Sequence, residues 1–318
     1  MPCATGNLLP METELLALLS SHGADNAAVI RLKHNLPKLV MERYAATWVF
    51  SDHSANGDYR GVVASLAGKV PGALLYKWCN SKNFRERNGI VISGTPDNKI
   101  VENGVKYAVD LTLNQDTSFY ADTRNLRKYL LENSAGKRVL NTFAYTGSLG
   151  VAALAGNADH VVQTDLSGKF LALAKRSLEL NGLDAAKMEV VEGNFFPVIS
   201  AFKKSGRLFD TVILDPPFFS QSSKGTVDLL KQPVALVNKV RPIVADGGEI
   251  IMVNNALYLS GAEFIAAADE LCDGKYLFRD NIIDIPDEFC GDLSAVADPA
   301  PFNHPTKIIR FKVRRKTL

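Results

Sequence analysis

Three short segments of this 318-residue chain carry residue types that could hold a nucleotide-like ligand and act beside it. The first is Asn141-Thr142-Phe143-Ala144-Tyr145-Thr146-Gly147-Ser148-Leu149-Gly150. Glycines let a backbone approach a ligand where a Cβ would clash. Phe143 and Tyr145, however, occupy positions that a pyrophosphate-cradling G-x-G-x-x-G run would give to glycine, which disfavours a nicotinamide-dependent dehydrogenase. The plainer reading is a strand-to-helix turn. The second is Asp165 with Leu166. Asp165 lies 165 − 147 = 18 positions after Gly147, near the ~20 that separate such a turn from an acid binding ribose hydroxyls. A carboxylate can accept from both hydroxyls at once. The competing reading makes Asp165 a cap for the helix behind it. Asn194, further on, has an amide suited to an adenine edge. The third is Asp215-Pro216-Pro217-Phe218-Phe219-Ser220. Two prolines fix φ and stiffen the chain, Phe218 offers a face on which a base can stack, and Asp215 stands at a strand tip facing the reacting group. Simple packing of a proline-rich loop is the alternative.

These segments need a scaffold that brings them to one edge, and the pattern around them supplies it. Apolar, β-branched runs predict strands at 138–143, 160–165, 188–192, 209–215 and 249–253. Helices are predicted from Ser148 to Ala155, from a cap at Ser167 to a stop at Asn181-Gly182, and over 227–240. Strands alternating with helices mean a parallel sheet covered on both faces, and its ligands sit beyond the carboxyl ends of the strands. Two more strands, 276–285 and 307–313, have no strong helix between them, which permits an antiparallel closing hairpin. Five parallel strands followed by that hairpin is a Rossmann-like class I methyltransferase architecture: an α/β fold with a seven-stranded, mostly parallel sheet and an antiparallel last strand. A smaller N-terminal α+β region precedes it. There 11–45, including 27–33, reads as helical, and 46–113 as β-hairpins, with Gly72–Trp78 and Val105–Leu113 as strands and a turn at Asn103-Gly104. The expected division is an accessory region, 1–95, and a catalytic domain, 96–318, led by the hairpin 97–113.

Hydrophobic residues make up 47% and charged residues 22%, which fits a globular chain with a real core. A net charge of +2 argues neither for nor against a nucleic-acid partner, because charge acts locally. Cys3, Cys79, Cys272 and Cys290 are scattered without a CxxC pair, so neither a disulfide framework nor a zinc site is expected, and no other metal. No apolar run nears the ~20 residues that span a bilayer. Met1–Pro10 lacks a basic segment followed by an apolar one, so no secretory signal is expected and the cytoplasm is the default compartment.

The segments 140–147 (LeuAsnThrPheAlaTyrThrGly) and 214–220 (LeuAspProProPhePheSer) resemble the motifs of bacterial large-subunit ribosomal RNA methyltransferases. So do 102–112 and 116–127 upstream, and the resemblance covers about residues 100–318. It implies S-adenosylmethionine as cofactor and RNA as partner. It also implies that Tyr120, Asp122 and Arg124 join Asn141, Phe143, Tyr145, Thr146, Gly147, Asp165, Leu166, Asn194 and Asp215 around the cofactor. An Arg124 fork suits the cofactor's carboxylate; a surface salt bridge is the alternative. Asp215, Pro216, Pro217 and Phe218 would form the catalytic ledge. The group holds two chemistries. Cytosine-C5 enzymes attack the base with a cysteine after the fifth strand, and here that place is Val253-Asn254-Asn255-Ala256. The Asn-Asn pair resembles the guanine-N7 enzymes, whose acceptor is already a lone pair. Ribosomal RNA guanine N7 is therefore favoured, with cytosine C5, or a small-molecule or protein acceptor, as alternatives. Two departures stand out: Asn194 replaces a usual Asp, and Ser118 a usual Gly. The loop 286–306, with His304, and the basic tail Lys312–Lys316 are possible substrate contacts, or a rigid connection and a solvated end.

Overall fold

A computed structural model describes residues 8–21, 29–272, 274–289 and 306–315. The chain divides into two compact units, Met1–Ala121 and Asp122–Leu318.

The first unit holds α1 (Leu8–Ser21), β1 (Val29–Arg31), β2 (Leu39–Tyr44), β3 (Thr47–Asp52), α2 (Arg60–Ser65), β4 (Leu74–Trp78), α3 (Phe84–Asn88), β5 (Ile90–Ser93), β6 (Lys99–Glu102) and β7 (Val105–Ala108). Strands β1 to β5 form one sheet in chain order. The helical pattern over 27–33 and on to 45 fails here, because Val29–Arg31 and Leu39–Tyr44 are strands. Pro37 interrupts any helix, and every residue of β2 is buried, a placement that suits a sheet strand covered on both faces better than an amphipathic helix. Gly72–Trp78 contains β4, which pairs parallel to β3 through the α2 crossover and antiparallel to β5 beyond α3. Gly72 is required by that path, since a Cβ there would sit 1.8 Å from the Ala46 carbonyl oxygen. The β6–β7 hairpin forms as expected, with Asn103 and Gly104 both at positive φ, as a tight hairpin turn needs; it groups with this first unit. Ser118, in place of glycine, has φ 59°, which explains why glycine suits the position. Its hydroxyl accepts from the Asp110 amide at 2.8 Å.

The second unit holds α4 (Arg124–Asn133), β8 (Arg138–Thr142), α5 (Ser148–Ala155), β9 (His160–Asp165), α6 (Gly168–Leu180), β10 (Met188–Glu192), α7 (Phe195–Lys204), β11 (Phe209–Leu214), β12 (Phe219–Ser222), β13 (Gly225–Asp228), α8 (Ala235–Val240), β14 (Val244–Asn254), α9 (Gly261–Leu271), β15 (Leu277–Ile283) and β16 (Lys307–Val313). Its seven-stranded sheet runs β10-β9-β8-β11-β14-β16-β15. The first five are parallel, and β16 lies antiparallel to both neighbours, the architecture that the strand–helix alternation implies. The chain winds outward from β8 to β10, then restarts at β11 on the other side of β8. That reversal opens a crevice at the carboxyl ends of β8 and β11. The helix pattern over 227–240 fails in part. Residues 225–228 are β13, and the helix begins only at Ala235. Pro233 lacks an N–H and disfavours helical geometry at the residue before it. No helix among the described residues is long and apolar enough to cross a membrane.

Toward the amino ends of the central strands lies a buried polar knot. Glu249 of β14 accepts from Thr211 Oγ1 at 3.0 Å, Tyr129 Oη at 2.8 Å, Lys137 Nζ at 3.1 Å and Arg310 NH2 at 3.1 Å. Burial alone would raise its pKa; the charges of Lys137 and Lys312 and the Tyr129 and Lys137 hydrogen bonds outweigh burial and hold the carboxyl at about 2. A depressed carboxylate pKa stabilises the fold above the unfolded value and is lost as pH falls through the folded one. The expected contribution is about 3 kcal/mol at neutral pH, disappearing between about pH 4.5 and 2. Glu249→Ala leaves Lys137 and Arg310 facing each other and is expected to cost roughly 3–5 kcal/mol, read by chemical denaturation at pH 7. A cost below about 1 kcal/mol would remove the knot from the sources of stability.

Candidate active site

The turn leaving β8 is unusual backbone. Phe143, Tyr145 and Gly147 all have φ between 52° and 76°, and the two non-glycine residues each carry a strain of order ~1 kcal/mol. Hydrogen bonds hold them there. The Ala144 amide donates to the Thr164 carbonyl at 2.8 Å, Gly147 N–H to the Ala144 carbonyl at 2.7 Å, and Tyr145 N–H to Asp165 Oδ2 at 2.8 Å. Phe143 stacks on Phe195 with ring centroids 4.7 Å apart, and the Tyr145 ring meets Phe170 edge-on at 4.7 Å. The other oxygen of Asp165 accepts from Ser167 N–H at 3.0 Å. Asp165 thus does part of the capping work that the alternative reading gives it, and Ser167 itself caps nothing with its side chain. Each carboxylate oxygen has lone-pair capacity left for a ligand hydroxyl.

Gln163, fully buried, wedges behind the turn. Its Nε2 donates to the Gly147 carbonyl at 3.1 Å, and its Oε1 accepts from Asn141 Nδ2 at 2.8 Å. A Cβ on Gly150 would lie 2.5 Å from the Gln163 carboxamide, and one on Gly147 2.4 Å from the Ala174 methyl. Among the described residues, these two glycines make room for the protein's own side chains. Thr146 is buried in the same turn. Asn141 Oδ1 is buried without a hydrogen-bond partner.

Beside the turn opens a cleft lined by Phe143, Thr164, Asp165, Leu166, Gly193, Asn194 and, from the far side, Ser220, Ser222 and Val227. It gathers Phe143, Asp165, Leu166 and Asn194 from the residues that sequence singled out. Leu166 is exposed at its mouth. The wall formed by β12 and β13 is what sequence reasoning missed. The signal was there: Ser222-Ser223-Lys224-Gly225 is a run of turn formers between two short apolar stretches.

At the end of β11, Pro216 is buried while Pro217 and Phe218 are exposed. Asp215 is partly buried, and its carboxyl is pushed up to about 7, by burial first and then by the charge of Asp122. Asp122 Oδ2 accepts from Thr306 Oγ1 at 2.7 Å. Arg124, expected at a ligand carboxylate, here pairs with Glu288 and lies over the Phe289 ring at 5.6 Å. Asn125 Nδ2 donates to the Asp284 carbonyl at 2.8 Å. Tyr120 belongs to the first unit, where its hydroxyl donates to Asp116 at 2.7 Å. Asn254 is fully buried and structural: Nδ2 donates to the Leu229 carbonyl at 3.1 Å and Oδ1 accepts from Ala256 N–H at 2.9 Å. Asn255 Oδ1, next to it, is buried without a hydrogen-bond partner. Cys3, Cys290, His304 and most of the loop 286–306 lie outside the described residues.

This geometry can be tested at both carboxylates. Asp165→Ala removes the carboxylate that accepts from the Tyr145 and Ser167 amides and that is expected to accept from a ligand's hydroxyls, and is expected to weaken S-adenosylmethionine binding at least ~10-fold by calorimetry; unchanged affinity would take Asp165 out of the site. Asp215→Asn tests the raised carboxyl. A group whose folded pKa lies above its unfolded value costs stability as pH rises through that window. The variant is therefore expected to melt higher than the parent at pH 8 and to lose that advantage progressively as pH falls from about 7 toward 3.8. A pH-independent difference would show that Asp215 is not held near 7.

Known proteins resemble this chain. "Ribosomal RNA large subunit methyltransferase I" of Aeromonas salmonicida is 34% identical over 196 residues, 59% of this chain and 50% of that protein. "Ribosomal RNA large subunit methyltransferase K" of Neisseria meningitidis serogroup B is 35% identical over 193 residues, 60% of this chain and 52% of that one. The chain thus spans about half the length of the curated relatives it matches. Among solved structures, SMU.776 complexed with SAH superimposes with a TM-score of 0.75 at 22% identity, over 96% of this chain and 80% of the other, which shows a shared fold. The model of the S-adenosylmethionine-dependent methyltransferase family matches residues 83–295, about two thirds of the sequence, and the chain belongs to that family.

Proposed function

We propose that the chain transfers a methyl group from S-adenosylmethionine to a base of RNA, with guanine N7 of large-subunit ribosomal RNA as the favoured acceptor. The observation that carries the transfer is the joining, at one sheet edge, of the Asp165 cleft and the Asp215-Pro216-Pro217-Phe218 ledge. The residues present fit the cofactor. Asp165 retains acceptor capacity for ribose hydroxyls, Phe143 and Leu166 flank the cleft beside it, and Asn141 Oδ1 is a buried acceptor without a partner. Asp122 would meet the cofactor's ammonium, and Arg124 its carboxylate in exchange for Glu288. When bound, the cofactor supplies an activated methyl group on a sulfonium, so the hard chemistry is its own.

What remains for the protein is alignment. The acceptor must lie roughly 3–3.5 Å from the methyl carbon along the line of displacement. The prolines at 216 and 217 stiffen the ledge, and Phe218, 42% exposed, offers a stacking face for a base presented single-stranded. Asp215 adds negative charge beside the sulfonium in its ionised form.

The residues at the carboxyl end of β14 favour guanine N7 over cytosine C5. Attack at C5 needs a thiolate, and that position is Asn254-Asn255. Cys79 lies in the first unit with burial raising its thiol to about 11, and Cys272 caps the end of α9. Asn255 Oδ1 is a buried acceptor that guanine's N1–H or amino group can satisfy. The names of the two relatives, both large-subunit ribosomal RNA methyltransferases, support RNA as the acceptor class.

The test is tritiated-methyl transfer from S-adenosylmethionine to RNA stripped of its native modifications, followed by nucleoside mass spectrometry. Label in 7-methylguanosine is expected. Label in 5-methylcytidine would overturn the N7 reading and point to a cysteine nucleophile. Cofactor binding with no labelled RNA would overturn the RNA reading and move the acceptor to a small molecule or a protein.

A further inference from the structure

The adenine end of the cleft contains an amide where the resemblance expects a carboxylate. A carboxylate accepts hydrogen bonds from either oxygen, whereas an amide accepts on one side and donates on the other. An unconstrained Asn194 could therefore serve a base carrying a 6-amino group or one carrying a 6-carbonyl by turning over. Its surroundings fix it. Phe196 N–H donates to Asn194 Oδ1 at 3.1 Å, capping α7. On the other side Asn194 Nδ2 donates to Ser222 Oγ at 3.3 Å. Ser222 has one proton, which it donates to the Gly225 carbonyl at 3.0 Å, and it already accepts from Lys224 N–H at 3.2 Å. It can therefore only accept from Asn194. Turning the amide over would lose the cap and either set two acceptor oxygens against each other or take the Ser222 proton away from the Gly225 carbonyl.

We infer that Ser222 is a positioning residue for nucleobase selection: with the Phe196 amide it holds Asn194 so that the carbonyl oxygen, not the amino group, serves the ligand's base. The remaining lone pair of that oxygen accepts from an exocyclic amine and rejects a carbonyl at the same place, because two acceptors leave a desolvated group unpaired. Asn194 then reads adenine as an aspartate would, without adding negative charge to the cleft. The hairpin β12–β13 is part of this device. Its turn spends the Ser222 proton, and Gly225 lets it close, since a Cβ there would lie 2.4 Å from the Phe196 ring. The inference rests on the cleft being the adenosyl site.

The experiment measures, by calorimetry on the full chain, affinities for S-adenosylhomocysteine and for S-inosylhomocysteine, in which a carbonyl replaces the 6-amino group. The parent is expected to prefer the adenosyl compound at least ~10-fold. In Ser222→Ala only the Phe196 cap opposes rotation, and the preference is expected to fall roughly fivefold. Ser222→Thr restores the acceptor and the preference. Asn194→Asp, which has no amino face to present, keeps it. A merely structural Ser222 would lower both affinities together and leave their ratio unchanged, which overturns the inference while the adenosyl site stands. Failure of the folded parent to bind either compound overturns both.

Discussion

The hydrogen bond from the Tyr145 amide to the Asp165 carboxylate is the constraint on which the site depends. It ties the turn after β8 to the tip of β9 across the switch point of the sheet, and it holds in place a backbone that would otherwise relax from two left-handed non-glycine positions. The remaining contacts of the turn gather around it. Gln163 braces the turn from behind, the Thr164 carbonyl takes the Ala144 amide, and Phe143 is pressed on Phe195. Because these partners sit on rigid strands and helices, the cleft beside them is shaped before any ligand arrives, which is how a site avoids ordering its own walls on binding.

The two ends of the sheet treat polar groups in opposite ways. Toward the amino ends, Glu249 is buried, ionised and saturated by Thr211, Tyr129, Lys137 and Arg310. Toward the carboxyl ends, Asp215 is held near 7 by burial and by the charge of Asp122, and the Asn141 and Asn255 side-chain oxygens are buried without partners. Unsatisfied acceptors are costly. Stability is built at one end of the strands and withheld at the other.

The parallel strands were legible because each is a short apolar run closed by a polar residue at a turn, and because helices opening at Ser148 and stopping at Asn181-Gly182 separate them. The errors share one cause. Residues 29–31 and 39–44 carry apolar spacing that a helix tolerates, yet the buried face of the first sheet claims them as strands. Residues 227–228 look helical beside 235–240 until Pro233 and the partner strand 219–222 draw them into a hairpin. Periodicity measures which side of an element is apolar; it does not say which neighbour will cover it.

The sequence by itself determined the class of chemistry. Phe143 and Tyr145 removed the dinucleotide glycine pattern, Asp165 fell at ribose spacing, and Asp215-Pro216-Pro217-Phe218 ended the fourth strand; these are local facts of residue type and interval. Only the tertiary structure decided what those residues are free to do. Gln163 claims the space at Gly150, Asn254 is consumed by the Leu229 carbonyl and the Ala256 amide while Asn255 keeps a buried acceptor, and Ser222 settles which face Asn194 presents. The contacts with Gln163, Leu229 and Ser222 come from residues 13 to 28 positions away, and a partner brought by folding leaves no mark on the spacing of the residue it engages.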